Sequence, residues 1–181
     1  KTLMMMHEAC AVASGHDFLK YKHNGNKTPV LYVEGEMDSA SIKKRLFDVQ
    51  DSYEMQGKKL NMDYIFFATL AIQDQMHFES LTTEVGRLNV EITAELIEEK
   101  TGKKPIIYLD NITALTIMQE KEGAEWVELM QWLSRLRNRG YHVTFLHHPT
   151  KTGETASGSN IKERSIDIDM KLTTPDEKTM I

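Results

Sequence analysis

The chain has 181 residues and a formal net charge of −5, with 40% apolar and 27% charged residues. This length allows one sizeable hydrophobic core, and the composition excludes a largely disordered protein. The negative net charge argues against a protein whose whole surface is basic for binding nucleic acid, so any DNA contact would have to come from a local loop or a channel shared between subunits.

Two further features of composition concern location. The longest apolar run, residues 64–72, is too short to cross a bilayer, so we expect no membrane partner. The single cysteine, Cys10, excludes an internal disulfide and is typical of a reducing compartment. The composition therefore predicts a cytoplasmic protein.

Helical and strand-like segments alternate along the chain. The four strand candidates are short runs rich in Val, Ile, Phe, Tyr or Leu and apolar on both faces, as in a sheet that is covered on both sides. In chain order we predict a helix at 3–14 ended by Gly15, a strand at 29–36, a helix at 39–55 capped by Asp38 or Ser39, a strand at 63–72, a helix at 82–101 closed by Gly102, a strand at 105–111, a helix at 124–139 stopped by Gly140 and a strand at 142–148. This order predicts an α/β fold with a mainly parallel sheet.

The last part of the chain departs from this alternation of strands and helices. Residues 149–160 are rich in Thr, Ser and Gly, which predicts a mobile loop. The tail "IDIDMKLTTP" (166–175) alternates apolar and polar residues, which suggests a further strand, antiparallel and at the sheet edge.

Polar residues follow the predicted strands at the edge where a parallel sheet binds its ligands. They are Glu34 and Glu36, then Asp110 with Asn111, then His147 with His148. Each group also has a purely structural interpretation, since an acid after a strand is often a helix cap and two histidines can simply be satisfied polar residues. Both interpretations stay open on these residues alone.

The first two residues, Lys1 and Thr2, favour the functional interpretation. A lysine and a threonine at the first turn of a helix are the last two positions of the phosphate-binding loop G-x-x-x-x-G-K-[ST]. In such a loop the helix N-terminus offers N–H groups to phosphate, the lysine neutralises the terminal phosphates and the hydroxyl ligates Mg²⁺. The dipeptide alone is common in proteins. It favours a phosphate-binding loop here because it stands at the start of the chain, directly before a predicted helix, and because Asp110 ends a later buried strand. We therefore expect a strand and a glycine-rich loop to have preceded Lys1.

Five segments together resemble a known family. "KTLMMMHEACAVASGHDFL", "VLYVEGEMDSASIKKRL", "IIYLDNITAL", "WLSRLRNRGYHVTFLHHPTKTG" and "GSNIKERSID" are similar, in this order, to the RecA-like ATPase domains of RepA-type hexameric replicative helicases. The resemblance spans nearly the whole chain. It implies one RecA-like domain over residues 1–181, incomplete at both ends, with a mainly parallel sheet flanked by helices and without its first strand and glycine-rich phosphate loop.

The resemblance also implies roles for individual residues. Lys1 and Thr2 match the end of the phosphate-binding loop, with Thr2 on Mg²⁺. Glu36, rather than Glu34, matches the carboxylate that activates the attacking water. Asp110 matches the acid that supports Mg²⁺, and His148 matches the position that senses the terminal phosphate and relays its state to a DNA-contacting loop.

Further implications concern partners. Residues 149–160, with Lys151, match the segment that lines a central channel, although an ordinary surface loop stays an alternative. Lys171 and Arg164 are both candidates for the basic residue that reaches into a neighbouring subunit's site. The resemblance thus implies ATP and Mg²⁺ as cofactors, and single-stranded DNA, a homo-hexameric ring and primase or other replication proteins as partners.

Three functions remain open at this stage. The first is an ATPase motor that moves along single-stranded DNA, and the second is a RecA-like ATPase used in recombination or regulation. The third is a non-hydrolysing assembly module of the same fold. The joint presence of Glu36, Asp110 and His148 favours hydrolysis.

Overall fold

The strand–helix alternation expected from the sequence is present in the structure. The structure is a computed structural model that describes residues 1–69, 79–116, 123–147, 166–170 and 172, with the backbone alone at 123–125. Its elements are α1 (Thr2–Ser14), β1 (Val30–Glu34), α2 (Ser39–Glu54), a 3₁₀ turn (Met62–Tyr64), β2 (Ile65–Thr69), α3 (Glu84–Thr101), β3 (Ile106–Asp110), the one-turn helix α4 (Ile112–Leu115), α5 (Gly123–Asn138) and β4 (Val143–Phe145).

The described strands form one sheet in the order β2-β1-β3-β4. All three neighbouring pairs are parallel, and β1 and β3 pair along their whole length from Val30 opposite Ile106 to Glu34 opposite Asp110. The predicted fold class, an α/β fold of RecA-like type with a parallel sheet flanked by helices, is confirmed.

Strand β1 shows how both faces of the sheet are covered. All five of its residues are buried. Val30 and Tyr32 pack in one apolar cluster with side chains of α1 and α2, whereas Leu31 and Val33 pack in a second cluster with side chains of α3 and α5. Because successive side chains of a strand point to opposite faces, the unbroken hydrophobic run of residues 30–33 is what two such layers require.

The predicted helix boundaries are largely confirmed. Gly15 and Gly102 end α1 and α3 in the left-handed conformation, with φ of 74° and 71°, which glycine adopts without the steric cost of a Cβ. Asp38 is the N-cap of α2, since its carboxylate accepts a hydrogen bond of 2.9 Å from the Ser41 N–H.

Some predicted strand boundaries are wrong. The strand expected at 63–72 starts only at Ile65, because Met62–Tyr64 form the 3₁₀ turn, and its residues 70–72 lie outside the described residues. Of the strand expected at 142–148, the described residues 142–147 are in a strand only at Val143–Phe145. The tail strand is also wrong for the described residues 166–170 and 172, which are not in a strand. Ile168 and Met170 are 78% and 48% exposed, so the alternating pattern buries no apolar face there. The loop expected at 149–160 lies outside the described residues.

Within the part of the chain that the structure describes, no helix combines the length and the apolar character needed to cross a bilayer.

Candidate functional site

The carboxyl ends of the three longer strands carry buried polar side chains. Glu34 at the end of β1 lies in register with Thr69 of β2 on one side and with Asp110 of β3 on the other. Glu34 and Asp110 are only 2% exposed, and Thr69 is also buried. Buried carboxylates cost free energy unless they are hydrogen-bonded, so their partners indicate what this edge of the sheet does.

Asp110 receives one hydroxyl on each carboxylate oxygen. The Thr2 hydroxyl donates to Oδ1 over 3.2 Å, and the Tyr32 hydroxyl donates to Oδ2 over 2.5 Å. Burial raises the pKa of Asp110, and these two hydrogen bonds partly offset that rise because they favour the ionised carboxylate. The side chain is thus fixed in orientation, with Oδ1 turned toward the start of α1.

The start of α1 lies against the ends of β3 and β4. Lys1 is its N-cap residue, without a side-chain capping hydrogen bond, and its exposed ammonium donates to the backbone oxygen of His147 over 3.3 Å. The first amide groups of a helix have no intrahelical acceptor, and the helix dipole adds positive potential there. Together with the Lys1 ammonium, this makes the start of α1 suited to an anion.

Glu34 holds the turn that follows β1. Its Oε1 accepts hydrogen bonds of 2.9 Å from the N–H groups of Glu36 and Met37, and its Oε2 accepts one of 2.8 Å from Met37. Burial raises the pKa of Glu34, and the backbone hydrogen bonds counteract the rise. The same turn is tied to β3, because the Gly35 N–H donates to the backbone oxygen of Asp110 over 2.9 Å.

Glu36 is exposed at this turn, beside the buried acids. Its negative charge contributes to the raised pKa values of both Asp110 and Glu34, so its carboxylate lies within electrostatic range of the two groups. The acid that caps a helix in this cluster is Asp38, at the start of α2. Glu36 is therefore available for another role. Likewise, Asn111 caps α4 by accepting a hydrogen bond of 2.9 Å from Ala114 N–H.

The residues brought together by the structure suit a magnesium ion that is shared with a ligand. Among the described residues there is no group of three or more His, Cys, Asp or Glu side chains that could enclose a metal. The Thr2 hydroxyl and the Asp110 carboxylate are nevertheless hard oxygen donors in direct contact. Mg²⁺ is usually held by one or two such protein groups and completes its shell with water and phosphate oxygens.

Four sequence-predicted residues cannot be placed. His148, Lys151, Arg164 and Lys171 lie outside the described residues. The neighbouring His147 is described, and its ring meets Trp126 edge to face at 5.4 Å between ring centroids.

Two contributors to the site, Tyr32 and Glu34, have no role in the sequence-based assignment. Tyr32 carried a signal, because a tyrosine inside a strand of otherwise apolar residues needs a partner for its hydroxyl. The sequence predicts Glu34 at a strand end, but its hydrogen bonds to the following turn do not follow from residue types, because they depend on the path of the backbone.

The comparison with known proteins agrees with this geometry. The sequence model of a family described as an AAA domain matches residues 1–154, which is most of the chain. No curated protein matches the chain. A parallel α/β sheet, a lysine–threonine pair at the start of α1 and an aspartate in contact with that threonine are thus found within one matched region. The chain belongs to the AAA domain family, which is of the P-loop ATPase type.

Proposed function

We propose that this chain is an ATP-hydrolysing motor domain and that it works in a replicative DNA helicase of the RepA type. The observation that supports the ATPase part is the contact between the Thr2 hydroxyl and Asp110 Oδ1, because it places the lysine–threonine pair that matches the end of a phosphate-binding loop beside a buried acid. The helicase part rests on the resemblance of the five segments quoted above.

Binding of the nucleotide is assigned to the start of α1. The free N–H groups of its first turn and the Lys1 ammonium are suited to the terminal phosphates of ATP. Thr2 and Asp110 would hold Mg²⁺, which neutralises charge on the phosphates when it is bound. Tyr32 keeps the second oxygen of Asp110 occupied, so the carboxylate is held in one orientation.

Hydrolysis is assigned to Glu36. A water oxygen forms a bond to the terminal phosphorus while the bond from that phosphorus to the bridging oxygen breaks, and ADP leaves. The Glu36 carboxylate orients this water and accepts its proton, which then passes to solvent. Exposure of Glu36 supports this assignment, since the attacking water has to reach its side chain.

Coupling to DNA is assigned to residues that the sequence places after β4. His148 would sense the terminal phosphate, and Lys151 would contact single-stranded DNA in a ring of six subunits. Lys171 or Arg164 would reach into the neighbouring subunit's site. A ring with nucleotide between subunits is a closed cyclic assembly, so each site would include groups from two subunits.

The test is made on the full-length protein with Mg²⁺. ATP hydrolysis is measured with and without single-stranded DNA, and unwinding is measured on a forked duplex at the same salt concentration, because phosphate contacts depend strongly on salt. Hydrolysis stimulated by DNA, together with unwinding, supports the proposal. DNA-stimulated hydrolysis without unwinding would favour a recombination or regulatory ATPase. Binding of ATP without hydrolysis would leave only an assembly module.

The assembly is tested separately by light scattering with ATP and Mg²⁺. The proposal expects a ring, most simply a hexamer. A strict monomer that hydrolyses ATP at its full rate would contradict it.

A further inference from the structure

We infer that Glu34 is a positioning residue whose buried carboxylate fixes the turn that carries Glu36. This inference rests on the proposed function, because it assigns the device that holds the water-activating residue in place. Glu34 itself touches neither nucleotide nor water in this account, and it acts through the backbone of residues 35–37.

The first observation is how both carboxylate oxygens are used. Oε1 accepts from the Glu36 and Met37 N–H groups, each at 2.9 Å, and Oε2 accepts from Met37 N–H at 2.8 Å. Hydrogen bonds with an ionised acceptor are shorter and stronger than those between neutral groups. The acid at the end of β1 is therefore bonded to the backbone of Glu36 itself.

The second observation is that the turn is also fixed from its other side. Gly35 donates to the backbone oxygen of Asp110 over 2.9 Å. A Cβ at this position would lie 2.9 Å from Leu115 Cδ2 and 3.1 Å from Ala114 Cβ, so Gly35 packs directly against α4. The turn is held between the Glu34 carboxylate and the β3–α4 junction, and Glu36 projects from it.

The third observation separates this role from the folding of α2. That helix is already capped by Asp38, whose carboxylate bonds to Ser41 N–H and to the Ser41 hydroxyl at 2.9 and 2.7 Å. The hydrogen bonds of Glu34 end at Met37, one residue before the cap. They order the site turn, whereas the side-chain cap of α2 is supplied by Asp38.

The experiment uses Glu34→Gln and Glu34→Ala in the full-length protein, each in the wild-type and in the Glu36→Gln background. Glu34→Gln keeps the side-chain shape and one acceptor oxygen, so the test can still be made if Glu34→Ala does not fold. Asp38→Asn is the matched control, because it removes a carboxylate from the same loop while asparagine remains a good N-cap. Turnover, KM for ATP and amide hydrogen exchange at Glu36 and Met37 are measured for each variant.

We expect both Glu34 variants to lower kcat with little change in KM, because the water-activating group is displaced while the phosphate contacts stay. Misplacement of a catalytic group by about 1 Å costs on the order of 10²-fold, so Glu34→Ala should approach that loss and Glu34→Gln should show less of it. Exchange at Glu36 and Met37 should accelerate in Glu34→Ala and stay unchanged in Asp38→Asn. In the Glu36→Gln background the Glu34 variants should cause no further loss, because residues that act as one unit are not additive.

Two results would overturn the inference. One is unchanged amide exchange at Glu36 and Met37 in a folded Glu34→Ala protein. The other is a full additional loss of turnover in the Glu36→Gln background, which would mean that Glu34 acts independently of Glu36. Failure of the proposed function looks different, since Glu36→Gln alone would then keep normal turnover while the exchange result at the turn would still hold.

Discussion

The Thr2 hydroxyl donates a hydrogen bond to Oδ1 of Asp110 over 3.2 Å, although the two residues are 108 positions apart in the sequence. This contact joins the start of α1 to the carboxyl end of β3. It brings a hydroxyl that follows a lysine next to a buried acid, as a site for magnesium and a nucleotide phosphate requires.

The first prediction concerns this pair. Asp110→Asn and Thr2→Val each remove an oxygen group suited to Mg²⁺, so nucleotide binding should need more Mg²⁺. Loss of a group that supports a bound metal typically costs about 10–100-fold in metal affinity. The measurement is a Mg²⁺ titration of the binding of a fluorescent ATP analogue to the full-length protein. Asp63→Asn, an exposed acid before the amino end of β2, is the control and should bind like wild type. An unchanged Mg²⁺ requirement in both site variants would exclude a magnesium role for the pair.

The second prediction concerns the Tyr32 hydroxyl, which donates to Asp110 Oδ2 over 2.5 Å. Burial raises the pKa of Asp110, and the Tyr32 hydrogen bond lowers it, so Tyr32→Phe should raise this pKa further. A carboxyl with a raised folded-state pKa stabilises the fold below its unfolded pKa, and this contribution is lost as the pH rises through the folded pKa. Tyr32→Phe should therefore lower the free energy of unfolding more at about pH 8 than at about pH 4.

Denaturant unfolding of wild type and Tyr32→Phe at the two pH values checks this. Tyr21→Phe is the control, because Tyr21 is exposed and its backbone pairs with Phe18. An equal loss at both pH values would mean that the Tyr32 hydroxyl does not favour the ionised form of Asp110.

These two residues also indicate how far the sequence alone reaches. Asp110 was predictable, because an acid that ends a fully apolar strand lies at the ligand-binding edge of a parallel sheet. Its pairing with Thr2 required the resemblance to a known family, since nothing local connects positions so distant. Tyr32 could have been found from its need for a hydrogen-bond partner.

Other features depend on tertiary structure and were not predictable from local patterns. The bonds from Glu34 to Glu36 and Met37 depend on how the chain turns after β1. The tail 166–175 was expected to be a strand because it alternates, yet alternation becomes a strand only where a neighbouring surface covers one face. In the described part of that tail Ile168 and Met170 remain exposed, and the expected strand is absent there.

The third prediction concerns Glu91 of α3. Its carboxylate accepts from Trp132 Nε1 over 2.7 Å and from Arg139 over 2.5 Å. Trp132 is fully buried, so Glu91→Ala would leave its indole N–H without this acceptor, which costs about 1–3 kcal/mol. Arg139 is partly exposed, and its ion pair with Glu91 is worth only about 0–1 kcal/mol.

Denaturant unfolding should therefore rank Glu91→Ala as the least stable variant. Glu91→Gln loses the ion pair with Arg139 but keeps an acceptor for Trp132, so it should lose much less stability than Glu91→Ala. If Glu91→Gln were as damaging as Glu91→Ala, the ion pair rather than the indole hydrogen bond would be the larger contribution.

The fourth prediction concerns coupling, and it rests on the sequence because His148 lies outside the described residues. A neutral imidazole can donate one hydrogen bond to a phosphate oxygen, and segments ordered by a terminal phosphate change position when it is lost. His148→Ala should keep part of the basal hydrolysis and lose its stimulation by single-stranded DNA. Lys151→Ala should weaken DNA binding with a smaller effect on DNA-free hydrolysis.

The measurement is the ATPase rate against single-stranded DNA concentration at fixed salt. His147→Ala is the neighbouring control and should retain the stimulation, since its ring contacts Trp126. Full stimulation in His148→Ala would make His148 a structural residue.

The most direct test of the account is the comparison of wild type with Glu36→Gln in the full-length protein, with ATP binding and phosphate release measured in the same Mg²⁺-containing buffer. The account predicts normal ATP binding and a turnover lower by about 10²–10⁴-fold, the range typical of a lost general base. Glu54→Gln, an exposed acid at the end of α2, should behave as wild type in both assays. Turnover of Glu36→Gln close to that of wild type would contradict the assignment of Glu36 and with it the proposed site.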